Sequence, residues 1–393
     1  MFDNFIFHIP TRFYFGKGAH EKVGEILKEQ GAKKVLFYYG GKSIFQSGLH
    51  DQIADILKGS GIDYVEMGGV QPNPTVSFCR KTIDFIKAEK VDFILAVGGG
   101  SVIDSAKAAA LSVGSDADPW DLVMKKSPIK SALPVGVILT IAASGSEVSE
   151  HSVLNDEESG MKRGVGSELI KPRFSILNPE LTYTLPPYQT AAGIFDIIMH
   201  TAERYLSLNG ENELLDRMSE GLIKSVISAG KEVLKDPKNY EARATLMWGG
   251  MISHSGLMSS GRKFFMCAHR LSHELSSMND KITHGASLAV IWPGYIKYIY
   301  RYNIPRLTQY AVRIWNCDMD FANPEKTILE GISKTEEFIK SIGLPTRLQE
   351  LGFGEDKVKL LAENCFRTAG YTGLPSYIDI KQKEMEDIYR LCL

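Results

Sequence analysis

Residues 91–113 read VDFILAVGGGSVIDSAKAAALSV. A run of apolar, β-branched residues stops on three glycines, and an alanine-rich helical pattern begins at once. A strand apolar on both faces marks a parallel sheet covered from both sides. Glycines at a strand–helix junction let the backbone approach a ligand, and the first-turn amides and helix dipole favour an anion. Gly98, Gly99, Gly100 and Ser101 are therefore candidates for holding a phosphate. A tight strand–helix turn with no ligand is the competing reading, and the G-x-G-x-x-G fingerprint of dinucleotide folds is absent.

The same rhythm extends outward. KKVLFYYGG (33–41), DYVEMGGV (63–70) and LPVGVILTIA (133–142) read as strands; HEKVGEILKEQG (20–31), GLHDQIADILKGSG (48–61) and VSFCRKTIDFIKAEK (76–90) read as helices. Strands separated by such helices imply right-handed crossovers and a parallel sheet. NFIFHIP (4–10) and RFYFG (12–16) look like a strand pair, and RFSILNPELTYTLP (173–186) returns one more strand. Beyond Pro186–Pro187 the pattern is helical only, over 188–208, 211–234, 238–259, 262–278, 285–301, 304–316, 325–342, 355–368 and 382–391. The expected organisation is a Rossmann-like α/β nucleotide-binding domain over residues 1–185 and an all-α metal-binding domain over 186–393. The cleft between them is the default ligand site.

Bulk properties narrow the class. The chain has 393 residues, 44% hydrophobic and 23% charged, with a formal net charge of −2. That balance gives no electrostatic reason to expect nucleic acid or an anionic membrane as partner. Cys79, Cys267, Cys317, Cys365 and Cys392 are scattered, with no C-x-x-C pair, which points to reduced thiols in a cytoplasm. The N-terminal stretch lacks a basic region followed by an apolar core, so it does not read as a signal peptide, and no uncharged run reads as a membrane span.

Two further strand-end loops carry small polar residues. In YYGGKS (38–43) no carboxylate stands where NAD-binding folds often place one against the ribose 2′-hydroxyl. Gly41, Lys42 and Ser43 would accept a 2′-phosphate instead, which favours NADP(H); a solvated lysine in a turn competes with this. In LTIAASGSEVSE (139–150), Thr140, Ser144 and Ser146 could bond a pyrophosphate or the nicotinamide amide.

The helical half holds a second constellation. FDIIMHTAERYL (195–206) buries Asp196 and His200 one turn apart in an apolar helix. A hydrogen bond, a solvated face, or half of a metal site would each account for them. CAHRLSHELSSMNDKITHGASL (267–288) adds His269 and His273 at i, i+4, then a turn at Asn279–Asp280, then His284, with Thr283 placed to cap the next helix. An antiparallel pair joined there brings His269 near His284. A third helix carrying Asp196 and His200 would complete three imidazoles and a carboxylate, a set suited to Fe²⁺ or Zn²⁺. His8, His20, His50, His151 and His254 have no such companions.

Together FHIPTRFYFGKG, YYGGKS, PNPT, GGGSVIDSAK, LTIAASGSE, YTLP, DIIMHTAERY and CAHRLSHEL…THGASLAVIWP resemble the iron-containing (group III) alcohol dehydrogenases, in their NADPH-dependent butanol dehydrogenase/aldehyde reductase branch. The resemblance spans about residues 4–390. It implies a dehydroquinate synthase-like fold and a divalent metal, Fe²⁺ or else Zn²⁺, held by Asp196, His200, His269 and His284. His273 then lies beside nicotinamide and substrate. Gly98, Gly99, Gly100, Ser101, Asp104, Thr140, Ser144, Ser146 and Lys162 match cofactor contacts, and Asn73 with Gly41, Lys42 and Ser43 matches the adenosine end. The implied reaction is hydride transfer between NADP(H) and a small primary alcohol or aldehyde, in a homodimer. Phe264, Phe265, Trp248 and Met251 are candidate pocket residues of the helical domain. Two features depart from the pattern: the 273–284 interval is one residue longer, and Lys42 stands where the branch has glycine. An NAD-dependent glycerol or 1,3-propanediol dehydrogenase, a dehydroquinate-synthase-like cyclase, and a non-catalytic nucleotide- or metal-binding homologue are the alternatives.

Overall fold

The computed structural model describes residues 3–208 and 212–393. By internal contacts the chain forms two compact units. One comprises His8–Leu185 with Pro237–Ser255; the other comprises Met1–Phe7, Pro186–Asp236 and Gly256–Leu393.

The first unit is built on a six-stranded, wholly parallel sheet. Its strands are β1 (Arg12–Phe15), β2 (Lys34–Tyr39), β3 (Asp63–Met67), β4 (Phe93–Gly98), β5 (Val135–Leu139) and β8 (Phe174–Leu177), in the order β1-β8-β5-β4-β2-β3. An antiparallel pair, β6 (His151–Asp156) and β7 (Met161–Gly166), stands apart from it. The helices of this unit are α1 (Val23–Glu29), α2 (Ser43–Gln46), α3 (Leu49–Gly59), α4 (Val76–Glu89), α5 (Gly100–Ser115) and α6 (Pro119–Val123). The central strands bury both faces. Leu36, Tyr38, Ile94 and Ala96 join the core beneath α4 and α5, while Val35, Phe37, Phe93 and Leu95 join the core beneath α1 and α3. Hence their apolar runs do not alternate with polar residues.

Strand order turns around between β2 and β4. The chain runs outward from β2 to β3, then returns past β2 to β4 and on to β5. Loops at the carboxyl ends of strands flanking such a reversal form the usual ligand crevice of open α/β sheets. Gly40–Ser43 follow β2 and Gly99–Ser101 follow β4, so both flank it.

Three expectations are corrected. Residues 4–10 form no strand, and β1 pairs with β8 in parallel, Arg12 opposite Phe174, rather than with a hairpin neighbour. Pro10 lacks the amide that a strand running straight into β1 would donate. The β6–β7 hairpin has no counterpart in the sequence reading; HSVLND and MKRGVG are short and polar, without a strong alternating signal.

The third correction concerns residues 237–255. They are helical, as α9 (Tyr240–His254), but they pack with the sheet unit. Met247 and Met251 enter the core beneath α4 and α5, and Trp248 meets Phe13 and Phe15 edge-on. Trp248 and Met251 therefore belong to the α/β unit rather than to the helical one.

Among its described residues the second unit is built of helices, with one isolated antiparallel bridge between Leu374 and Ile380. It contains α7 (Pro187–Tyr205), α8 (Glu213–Lys235), α10 (Cys267–Met278), α11 (His284–Ile299), α12 (Ile304–Trp315), α13 (Pro324–Ser341), α14 (Glu355–Thr368) and α15 (Gln382–Leu391). The 211–234 expectation begins on a residue outside the described set; the helix itself starts at Glu213. Pro187 opens α7, where a missing amide costs nothing. No helix is long and apolar enough to cross a membrane, among the described residues.

Candidate metal and nucleotide sites

In the helical unit α7 packs on α8 and on α11, and α10 packs on α11. The approach of α11 to α7 depends on Gly285. A Cβ there would overlap the carbonyl of Ala192, so only glycine lets the two backbones meet. His284, the first residue of α11, is thereby carried to Asp196. The turn before it is held by Asn279, whose carbonyl accepts from Ile282 N (3.1 Å) and whose Oδ1 accepts from Lys281 N (3.2 Å). Thr283 occupies the N-cap position of α11, but its hydroxyl makes no capping bond, contrary to expectation.

The result is a convergence on one oxygen. Nε2 of His200, of His269 and of His284 each lies 3.7 Å from Asp196 Oδ1. Asp196, His200 and His269 are buried, and their ligand atoms lie within 4.8 Å of one another; His284 closes the set from a half-buried position. The separations exceed a hydrogen bond. Asp196 Oδ1 and His269 Nε2 are buried and have no hydrogen-bond partner. A tetrahedral ion with bonds of about 2.1 Å sets its ligand atoms about 3.4 Å apart. Orphaned buried donors and acceptors at nearly that spacing fit a divalent cation, and nitrogen with oxygen suits Fe²⁺ and Zn²⁺ alike.

Around this cluster, His273 follows His269 by one turn of α10, and its ring centroid is 5.3 Å from that of His284. Glu203, fully buried on α7, contacts His269 Nδ1 and accepts from Ala268 N (2.7 Å). Burial pushes the His269 imidazole down, but the charges of Glu203 and Asp196 prevail and hold it up at about 9. The sequence reading missed Glu203. Its signal was there: a third ionisable residue in the same apolar helix, three residues after His200. Of the pocket candidates in this unit, Phe264 lies under the Arg204 guanidinium and Phe265 is buried against Tyr377.

In the sheet unit, the predicted cofactor residues gather at strand ends. Gly98 ends β4, Gly99 is the N-cap of α5, and Gly100 and Ser101 open its first turn. A Cβ on Gly98 would strike Val102, and one on Gly100 would strike Ser144, so the bare backbone is needed there. Thr140 N donates to Gly98 O (3.0 Å), tying the loop after β5 to the glycine turn. Gly41, Lys42 and Ser43 are exposed beyond β2. Asn73 and Lys162, far apart in sequence, meet through Lys162 Nζ and Asn73 Oδ1 (2.8 Å).

Two of the expected cofactor contacts serve the loop itself. Asp104 accepts from Ser146 Oγ (2.5 Å) and from Val153 N (3.0 Å). Lys107, fully buried, donates to the carbonyls of Ser146, Ser149 (2.8 Å) and His151 (3.3 Å). Burial pushes its ammonium down to about 8 against the opposing charges of Asp104 and Glu147. Lys107 thus shapes the 146–151 segment from behind.

Comparison with known proteins agrees with both halves. The family model "Iron-containing alcohol dehydrogenase" matches residues 10–179, and the C-terminal model of the same family matches 190–393. The chain is 38% identical to NADH-dependent butanol dehydrogenase A of Clostridium acetobutylicum, over 98% of this chain and 99% of that one. It is 35% identical to an NADPH-dependent aldehyde reductase of Escherichia coli, again over 98% and 99%. The crystal structure of NADH-dependent butanol dehydrogenase A from Thermotoga maritima superposes with a TM-score of 0.95, at 36% identity, covering 100% of this chain and 99% of that one. The chain belongs to the iron-containing alcohol dehydrogenase family, and it is an oxidoreductase of the alcohol dehydrogenase/aldehyde reductase type.

Proposed function

We propose that the protein interconverts a small primary alcohol and its aldehyde, with NADP(H) as hydride carrier and one divalent cation, Fe²⁺ or alternatively Zn²⁺, held by Asp196, His200, His269 and His284. The observation that carries this is the convergence of three imidazole nitrogens on Asp196 Oδ1 at 3.7 Å. When bound, the cation supplies a Lewis-acid charge for an alcohol or carbonyl oxygen, and the nicotinamide supplies or takes the hydride. The chain's own groups do the rest. Gly98–Ser101 and the first turn of α5 offer amides to a pyrophosphate. Thr140 and Ser144 lie one loop away to orient the nicotinamide end. His273, one turn beyond His269, holds or releases the proton exchanged with the substrate hydroxyl.

NADP(H) is favoured by the absence of a carboxylate in Gly40–Ser43 after β2, with Lys42 available to a 2′-phosphate. NADH is the second reading, supported by relatives named as NADH-dependent. Metal analysis of the isolated protein, with NADPH and NADH turnover on a series of straight-chain aldehydes, tests the proposal. Stoichiometric metal and a higher kcat/KM with NADPH are expected. Metal-independent turnover would refute the metal assignment, and a preference for NADH would replace the cofactor assignment.

A further inference from the structure

We infer that Glu203 is a positioning residue for the metal centre, fixing the His269 imidazole so that Nδ1 carries the proton and Nε2 faces Asp196. The inference rests on the reading of that cluster as a cation site.

The geometry is specific. α7 carries Asp196, His200 and Glu203 in succession, so one rigid helix supplies two of the converging side chains and the group that holds a third. Glu203 is fully buried and both of its oxygens are engaged. Oε1 accepts from Ala268 N (2.7 Å), and Oε2 contacts the Nδ1 of His269 and its backbone amide (3.4 Å).

These amides belong to the first turn of α10, whose own N-cap residue, Met266, provides no side-chain cap. Glu203 therefore closes the start of α10 from another helix and, with the same carboxylate, sets the ring it presents. An imidazole that ligates a cation gives up its second proton and keeps one N–H and one lone pair. A carboxylate at Nδ1 can only accept, so the N–H lies there and the lone pair is left at Nε2. Nε2 is the buried atom with no hydrogen-bond partner, 3.7 Å from Asp196 Oδ1. A carboxylate behind a metal-binding histidine orients the ring and raises its basicity, and its loss commonly weakens metal binding.

The test uses the full chain, stripped with a chelator and titrated with Zn²⁺ against a chromophoric competitor. Circular dichroism and NADPH binding report on folding. Glu203→Ala should weaken Zn²⁺ about 10–100-fold. Glu203→Gln keeps one acceptor oxygen where the carboxylate has two and carries no charge, so it should bind Zn²⁺ more tightly than Glu203→Ala and more weakly than wild type. A pure helix-capping role predicts lowered stability with unchanged Zn²⁺ affinity, and that result in Glu203→Ala would overturn the inference.

Nitrogen-15 spectra of the Zn²⁺-loaded wild-type protein provide a readout independent of variant folding. His269 should be protonated at Nδ1; protonation at Nε2 would overturn the inference. Wild-type protein that binds no Zn²⁺ would sink the cation reading and this inference with it. Tight wild-type binding unaffected by Glu203→Ala would sink the inference alone.

Discussion

Asp196 Oδ1 and His269 Nε2 face each other 3.7 Å apart in a buried site, and neither has a hydrogen-bond partner. With the Nδ1 proton given to Glu203, Nε2 of the neutral ring presents a lone pair to a carboxylate oxygen, so the two acceptors cannot satisfy one another. Leaving both unsatisfied costs about 1–3 kcal/mol per group. The spacing is explained if a third body sits between them.

Replacing His200 with Ala removes one of the converging nitrogens without touching the Gly285 contact. The variant should fold, lose tightly held metal on dialysis, and lose at least ~100-fold in kcat/KM. Elemental analysis beside steady-state kinetics checks this. Full metal content in the folded variant would mean that the site lies elsewhere.

Gly285→Ala tests how the site is assembled. The added methyl meets the Ala192 carbonyl, so α11 must move off α7 and carry His284 with it. Overpacking of this kind costs about 1–3 kcal/mol. A lower denaturant midpoint together with weaker metal retention is expected; unchanged values of both would contradict the packing argument.

Gly41→Asp addresses cofactor choice. A Cβ at Gly41 meets nothing, so the substitution should leave the fold intact while adding a carboxylate beside the proposed adenosine end. One charge-assisted contact is worth about 1.5–3 kcal/mol, so the NADPH-to-NADH ratio of kcat/KM should fall at least about tenfold. An unaltered ratio would show that the 2′-phosphate is read elsewhere.

Glu147 supplies a pH dependence. Its carboxylate is buried with no partner beyond its own backbone amide, and burial pushes it up to about 7 from 4.5, against that amide and the charge of Lys107. As pH rises from 4.5, the unfolded chain ionises this group first. The stability associated with the neutral form is therefore complete below 4.5 and is lost as pH rises through about 7. The loss is on the order of 3 kcal/mol. Relative to Glu147→Gln, the wild-type protein should lose denaturant resistance between pH 5 and pH 8. A difference that does not vary with pH would contradict it.

What the sequence made legible follows from periodicity. The strand VDFILAVG and the helices of the second unit carry strong period-specific patterns, and the structure contains them close to the expected bounds. Local pattern does not say which surface a helix packs on. For that reason α9 read as part of the helical half, although Met247 and Met251 bury against the sheet unit. Nor does it separate a hairpin from two segments with distant partners, so β1 was paired with the wrong neighbour. His269 and His284 could be placed together because a short turn joins their helices. Glu203 was legible only as a third ionisable residue in the helix of His200; its contact with His269, 66 residues away, is set by tertiary packing.

The most direct measurement is anomalous diffraction at the absorption edge of the metal found in the isolated protein. The account predicts a single strong peak about 2.0–2.2 Å from Asp196 Oδ1 and from Nε2 of His200, His269 and His284. No peak in that position, or a metal held by other side chains, would contradict it.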